Sequence, residues 1–327
     1  MKHGICRCSI LFLLCAIFGE TFAAKLPVST YHGMCDASAA VALDENHFAV
    51  ASDEDSVIRV YNNEVPGPPL KSFDFSTFLA LGGNKPETDI EGAARLGDLV
   101  FWISSHGRNK EGRERSNRHR LFATRIKLGG AIPDLVAEGH PYARLLSDFS
   151  RAPFAKAYGL TAAMEKAPKD KGGFNIEGLA ATPEGILLIG LRNPIPHGKA
   201  LIIPLLNPLA ILEGKAHAKF GQPIELDLGG FGIRDLALFG KEYLVVAGEY
   251  DSHQGSRIYR WAGGNAVPKL IDVTFKHFNP EALISYSHNQ TDFQVLSDDG
   301  ARKTRDVECK RLLPSQRTFR AIWVNAE

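Results

Sequence analysis

Apolar and polar positions along this chain fall into a unit that returns five times. Each copy opens on a short acid-led phrase: Cys35-Asp36-Ala37-Ser38, Ile90-Glu91-Gly92-Ala93, Ile176-Glu177-Gly178-Leu179, Arg234-Asp235-Leu236-Ala237 and Pro280-Glu281-Ala282-Leu283. An apolar stretch follows, then a turn and a second apolar stretch at 47–51, 99–104, 186–191, 243–247 and 293–296. After a polar loop comes a third segment, at 57–61, 120–126, 200–205, 257–261 and 318–324, in which apolar and polar residues alternate as in a half-buried strand. A fourth strand is expected at 70–75, 143–149, 223–228 and 269–275. The fifth unit has none, and an unassigned extended segment at 25–31 stands ready to supply it.

A unit of this length repeated along a chain marks a repeat architecture. The pattern predicts an all-β fold, a β-propeller with five blades of four strands, closed by pairing the N-terminal strand with the last blade. Radial closure leaves only short, protected sheet edges. The repeated acids lie at 36, 91, 177, 235 and 281, so the spacing is uneven. The long gap holds a partly helical insertion around 150–173, with a helix expected at 155–166 and a polar segment at 168–173; a hidden sixth blade is the alternative. A second insertion at 206–219 reads as a short helix.

The first residues stand apart. Lys2, His3 and Arg7 precede a short apolar run at 10–18, and Thr21-Phe22-Ala23 gives the small residues that a signal peptidase reads. Residues 1–23 are therefore expected to be a secretory signal, with 24–327 as a single propeller domain, secreted or periplasmic. The apolar run is shorter than the ~20 residues that span a bilayer, and no membrane insertion is expected after signal removal. Cys35 and Cys309 remain after cleavage, one near each end of the chain. An oxidising compartment permits a disulfide between them, and two independent thiols are the alternative.

Composition narrows the partners. Of 327 residues 44% are hydrophobic and 23% charged, with a net charge of +1, which excludes nucleic acid as the main partner. A small anionic molecule or an envelope protein is expected instead, bound by a monomer.

In a propeller the innermost strands all start at one mouth, and the loops between second and third strands return there. Those loops hold Asp53-Glu54-Asp55, Ser104-Ser105-His106-Gly107-Arg108-Asn109-Lys110, Arg192-Asn193-Pro194-Ile195-Pro196-His197, Glu249-Tyr250-Asp251-Ser252-His253 and Ser297-Asp298-Asp299. Two readings of the acids remain open. In one, Asp36, Glu91, Glu177, Asp235 and Glu281 ring the axis and hold a hard divalent cation, Ca²⁺ first, because clustered carboxylates need compensation. In the other, each acid bonds backbone amides as a repeated turn device. Asp36 and Asp235, whose following residues depart from Glu-Gly, suit the second reading, while Glu91 and Glu177 stand in matching phrases. Arg108, Arg192, Asn109 and Asn193 are candidates for holding the anionic part of a substrate, or for simple ion pairing and loop bonding. Glu91, Glu177 and His106 are candidates for moving a proton, with His197 and His253 behind them. The sequence has no Gly-x-Ser-x-Gly elbow, phosphate-binding Walker loop or His-Glu-x-x-His motif.

The phrases Gly33-Met34-Cys35-Asp36-Ala37-Ser38, Asp89-Ile90-Glu91-Gly92-Ala93 with Ser105-His106-Gly107-Arg108-Asn109, Asn175-Ile176-Glu177-Gly178-Leu179-Ala180 and Gly232-Ile233-Arg234-Asp235 resemble the secreted bacterial family known as domain of unknown function 3616. That family looks distantly like phytase-like and lactonase-like propellers, whose sites lie at one mouth of the ring and often hold a metal. The resemblance implies a propeller and assigns no reaction. The expectation is a metal-assisted hydrolase of a phosphoester or lactone, with a non-catalytic ligand- or protein-binding propeller as the alternative.

Overall fold

A computed structural model of the chain describes residue 1 and residues 27–83, 87–251 and 255–326. The expected signal segment, 1–23, and His253 lie outside the described residues, except for Met1. Five four-stranded antiparallel sheets form the blades. From the axis outward, blade one is Ala39–Ala42, His47–Ala51, Val57–Asn62 and Lys71–Asp74. Blade two is Ile90–Leu96, Leu99–Ser104, Leu121–Lys127 and Asp134–Tyr142. Blade three is Asn175–Ala181, Leu187–Asn193, Ala200–Leu205 and Ile224–Leu226. Blade four is Gly232–Phe239, Glu242–Gly248, Arg257–Trp261 and Lys269–Leu270. Blade five takes Pro280–Ile284, Asp292–Ser297 and Thr318–Asn325 from one end of the chain and Val28–His32 from the other.

The joint in blade five is antiparallel and in register from Val28 opposite Ile322 to His32 opposite Thr318. The innermost strands touch their neighbours in a closed cycle, including blade five against blade one. Apolar side chains gather in five clusters, each lying between two adjacent blades. A second strand is covered on both faces by neighbouring blades. This is why 99–104 and 187–193 are buried along their whole length and carry no polar alternation.

Two local expectations need correction. The outer strand of blade two is Asp134–Tyr142, and 145–151 is a helix. Leu145 and Phe149, four residues apart, are both buried on one face of it, which is helical rather than strand spacing. The helix expected at 155–166 is reduced to Leu160–Ala163. Gly159 precedes it in the left-handed region at φ 63°, where the chain turns. The second insertion does hold a short helix, Pro208–Leu212, with proline in its first turn. Among the described residues no helix is long and apolar enough to cross a membrane.

Candidate functional site

A single structural device sets which side chains face the axis. In four blades the innermost strand slips by one residue against its partner near the mouth. Ile90 pairs with Ser104 but Gly92 with Ile103; Ile176 with Leu191 but Gly178 with Gly190. Ile233 pairs with Ala247 but Asp235 with Val246, and Pro280 with Ser297 but Ala282 with Leu296. The residues left over are Glu91, Glu177, Arg234 and Glu281. Such a bulge bends the strand and re-aims the extra side chain. All four line one cavity of ≈ 630 Å³ at the mouth, together with Asp36, Asp53, Asp89 and Asp298.

The register corrects the sequence alignment of blade four. Arg234, not Asp235, is the counterpart of Glu91, Glu177 and Glu281. Asp235 sits one position on, where alternation turns it away from the axis. Its Oδ1 accepts the Leu236 amide at 2.8 Å and its Oδ2 accepts the Leu283 amide of blade five at 2.6 Å. Burial pushes its pKa up to about 8 against the pull of those two amides. The amide-bonding alternative therefore describes Asp235, and both its oxygens are already engaged by backbone.

Asp36 precedes its strand and forms an isolated antiparallel bridge with Asp298. Burial, then the charges of Asp53 and Asp298, hold its carboxyl well above the usual range. Burial also raises Glu91, with Asp89, Glu177 and Asp53 adding to it. Asp89 is raised to about 6 by burial, even though Arg118 lies 2.9 Å away and the Ser105 hydroxyl bonds it.

Two buried arginines order the glutamates. Arg192 Nη1 donates to Glu177 Oε1 at 2.6 Å, and Asn175 Nδ2 donates to the same oxygen at 2.7 Å. Arg234 bonds Glu281 through Nη2 and Asn279 Oδ1 at 3.1 Å through Nη1. Glu177 Oε2 is buried and accepts no hydrogen bond, with Arg234 Nε 3.8 Å away. Close approach of blades three and four makes this packing possible. A Cβ on Gly232 would lie 1.9 Å from the Arg192 carbonyl oxygen.

Spacing suits a cation. Glu91, Glu177 and Glu281 each offer one oxygen within 4.8 Å of the others, and so do Asp53, Asp89 and Glu91. Oxygens sharing one Ca²⁺ at 2.3–2.6 Å cannot stand further apart than about 5 Å. Arg234 Nε is likewise buried without a hydrogen-bond partner, so the carboxylate oxygen and the guanidinium nitrogen face each other across 3.8 Å without bonding.

Other residues singled out in the sequence lie elsewhere or are engaged. His106 does not line the cavity. It is buried, its Nδ1 lies 2.8 Å from Ser104 O, and its ring stacks on His119 with centroids 5.8 Å apart. Burial pushes its pKa down to about 3, so it is neutral. Arg108 turns toward the insertion, donating to Met164 O at 2.8 Å and Gly112 O at 3.2 Å and bonding Glu165. Asn193 Nδ2 donates to Pro168 O at 2.8 Å and Asp170 O at 2.7 Å. These contacts hold residues 167–170 as one wall of the cavity. Asn109 lines the cavity, but its side-chain oxygen accepts the amides of Glu111 and Arg113. His197 is largely exposed, 4.0 Å from Glu225. Cys35 and Cys309 form a disulfide, with Cα atoms 5.8 Å apart. The sequence reading missed Arg234 as a ring member. Aligning on the preceding Ile90, Ile176 and Ile233 would have found it. Arg118 had no sequence signal, because a short turn at 116–118 carries it to Asp89.

A family model described as "Protein of unknown function (DUF3616)" matches residues 36–127 and 148–293. No curated protein is detectably similar to the chain. Among solved structures, glutaminyl cyclase from Myxococcus xanthus is similar at 10% identity and a TM-score of 0.47, over 93% of this chain and 97% of that one. Virginiamycin B lyase from Staphylococcus aureus is similar at 8% identity and 0.42, over 92% and 100%. The β-propeller domain of Cps50 (Swd1) from Myceliophteria thermophila is similar at 10% identity and 0.40, over 91% and 100%. At that level of similarity they carry nothing about activity.

Proposed function

The chain belongs to the DUF3616 family, and because that description assigns no reaction, we propose from the mouth itself that it is a metal-assisted hydrolase of a phosphoester or lactone, working outside the cytoplasm. The observation that carries the reading is Glu177 Oε2, a buried carboxylate oxygen without a hydrogen-bond donor, set among the oxygens of Glu91 and Glu281 within 4.8 Å. In this reading Glu91, Glu177 and Glu281 hold a hard divalent cation, Ca²⁺ first. When bound, the cation polarises the scissile group and lowers the pKa of water. Arg192 and Arg234 fix the rotamers of Glu177 and Glu281. Glu91, common to both acid groups, carries the proton. The insertion wall at 167–170 limits what enters. The basic start, short apolar run and Thr21-Phe22-Ala23 support export, as does a disulfide.

Two observations favour a second reading. Arg192 and Arg234 are both engaged by acids, and His106 stands outside the cavity, as fits a propeller that binds a ligand or envelope protein without chemistry. Thermal melting across Ca²⁺, Mg²⁺, Mn²⁺ and Zn²⁺ tests the cation, since a ligand bound only by the folded form raises Tm. A Tm rise with Ca²⁺ and chelator-sensitive turnover of a phosphoester or lactone panel is expected. No shift with any of the four ions would sink the cation reading. A shift without turnover would leave the binding propeller.

A further inference from the structure

Blade five supplies another wall of the mouth, and this wall is anchored unlike the rest of the ring. Between Asp292–Ser297 and Thr318–Asn325 the chain makes a small hairpin, Lys303–Thr304 paired with Val307–Glu308. Residues 301–307 are exposed throughout, so this stretch contributes no apolar side chain to a core before Cys309. Arg320 holds Asp299 with bonds of 2.8 and 2.6 Å. Beyond that point the wall depends on polar contacts and one covalent link. Asp299 N donates to Cys35 O at 2.9 Å, Cys309 N to Arg302 O at 2.8 Å and Lys310 N to Gly300 O at 3.3 Å. The Cys35–Cys309 disulfide then ties the wall to the chain entering blade one. The residues that follow the two cysteines, Asp36 and Lys310, both line the cavity.

Closure of the ring has separate support. Val28–His32 pairs with 318–322 residue for residue, and Tyr31 packs among Phe48, Tyr61 and Phe319 with centroids 5.2–5.5 Å apart. The bond therefore sits beside the mouth, between adjacent blades, and is not what shuts the ring.

We propose that the Cys35–Cys309 disulfide is a redox latch on the mouth, holding Asp36 and the 300–310 wall in place when closed and releasing them, with the ring still folded, when open. A segment with few buried apolar contacts opens locally at low cost once its tether is cut. Cys35 and Cys309 are both buried, so a dithiol reaches them as the exposed 301–307 hairpin frays, and opening is then thiol–disulfide exchange with that dithiol. Its thiolate attacks one sulfur, the S–S bond breaks, and the second thiol resolves the mixed disulfide. The dithiol gives two electrons and becomes a disulfide, and the two protons end on the Cys35 and Cys309 sulfurs.

Limited trypsin digestion tests this on the full protein when oxidised, when reduced with dithiothreitol, and as the Cys35→Ser/Cys309→Ser double variant. Cleavage at Arg302, Lys303, Arg305, Lys310 and Arg311 is expected to quicken about tenfold or more in both opened forms, with the strand circular dichroism unchanged. Calorimetric Ca²⁺ affinity is expected to fall about tenfold with it. That second measurement rests on the cation reading above. If the oxidised protein binds no Ca²⁺, that reading fails, and digestion still decides the latch. Equal cleavage rates would overturn the latch. So would loss of the strand signal in the double variant, which would make the bond a staple of the whole ring.

Discussion

Asp235 Oδ2 accepts the amide of Leu283 at 2.6 Å and so bolts blade four to blade five. Its other oxygen holds the Leu236 amide at 2.8 Å. Asp235→Ala strands two buried N–H groups, each costing about 1–3 kcal/mol. The variant should lose about 2–5 kcal/mol in urea unfolding with its cation affinity unchanged. Glu177→Gln should also cost about 3–5 kcal/mol, because it removes the charged partner of buried Arg192, but unlike Asp235→Ala it should drop Ca²⁺ affinity at least about tenfold, as expected when a charged ligand is removed. A Glu177→Gln protein that binds Ca²⁺ like the parent would remove Glu177 from the seat.

Arg234 is the one base among the bulged positions and is paired with Glu281, both about 5% exposed. Arg234→Met leaves Glu281 buried and unpaired, which costs about 3–5 kcal/mol. If a cation sits beside Glu281, saturating Ca²⁺ should restore most of that loss in this variant. Thermal melts with and without Ca²⁺ measure it, and an equal deficit in both would place the cation elsewhere.

The mouth also sets a pH dependence. Asp36, Asp53 and Glu91 are held well above the usual carboxylate range, mainly by burial, and Asp235 at about 8. The folded chain therefore keeps protons that the unfolded chain has lost, and stability falls as pH rises from about 4 through those folded values. His106 works the other way. Its folded pKa of about 3 lies below the ordinary 6.5, so its contribution is lost as pH falls below 6.5. The net decline should be clearest between pH 6.5 and 8. Tm of the chelated protein should drop across that window, and Ca²⁺ should flatten the drop. A chelated protein whose Tm rises from pH 6.5 to 8 would contradict the buried-acid electrostatics.

Tyr31 carries the closing strand. It is fully buried and stacks on Phe319, the residue opposite it in the sheet. Tyr31→Ala should cost about 3–5 kcal/mol, the range for removing a buried aromatic ring. Hydrogen exchange should show faster opening first at 28–32 and 318–322, and uniform acceleration over all five blades would argue against a local closure.

The blades were legible because a second strand enclosed on both faces is apolar, as 99–104 is, while third strands such as Val57–Asn62 and Thr318–Asn325 alternate; Ala200–Leu205, expected to alternate, is buried almost throughout. Val28–His32 was legible as the missing strand because blade five had only three others. The ring members were harder. A bulge changes which face a residue occupies without changing composition, so Asp235 looked like a fifth acid until pairing placed Arg234 there. Arg108 and Asn193 looked like ligand holders, and both instead grip the 150–173 insertion, a tertiary contact that no local pattern encodes. Leu145–Arg151 reads as a strand by hydrophobicity alone, and only its four-residue apolar spacing distinguishes it.

Arg234 has a consequence beyond its ion pair. Repeated blades would give a molecule on the axis five equivalent rotational settings. One basic member among the acids breaks that equivalence, so a dipolar molecule entering the mouth would not meet five equal settings.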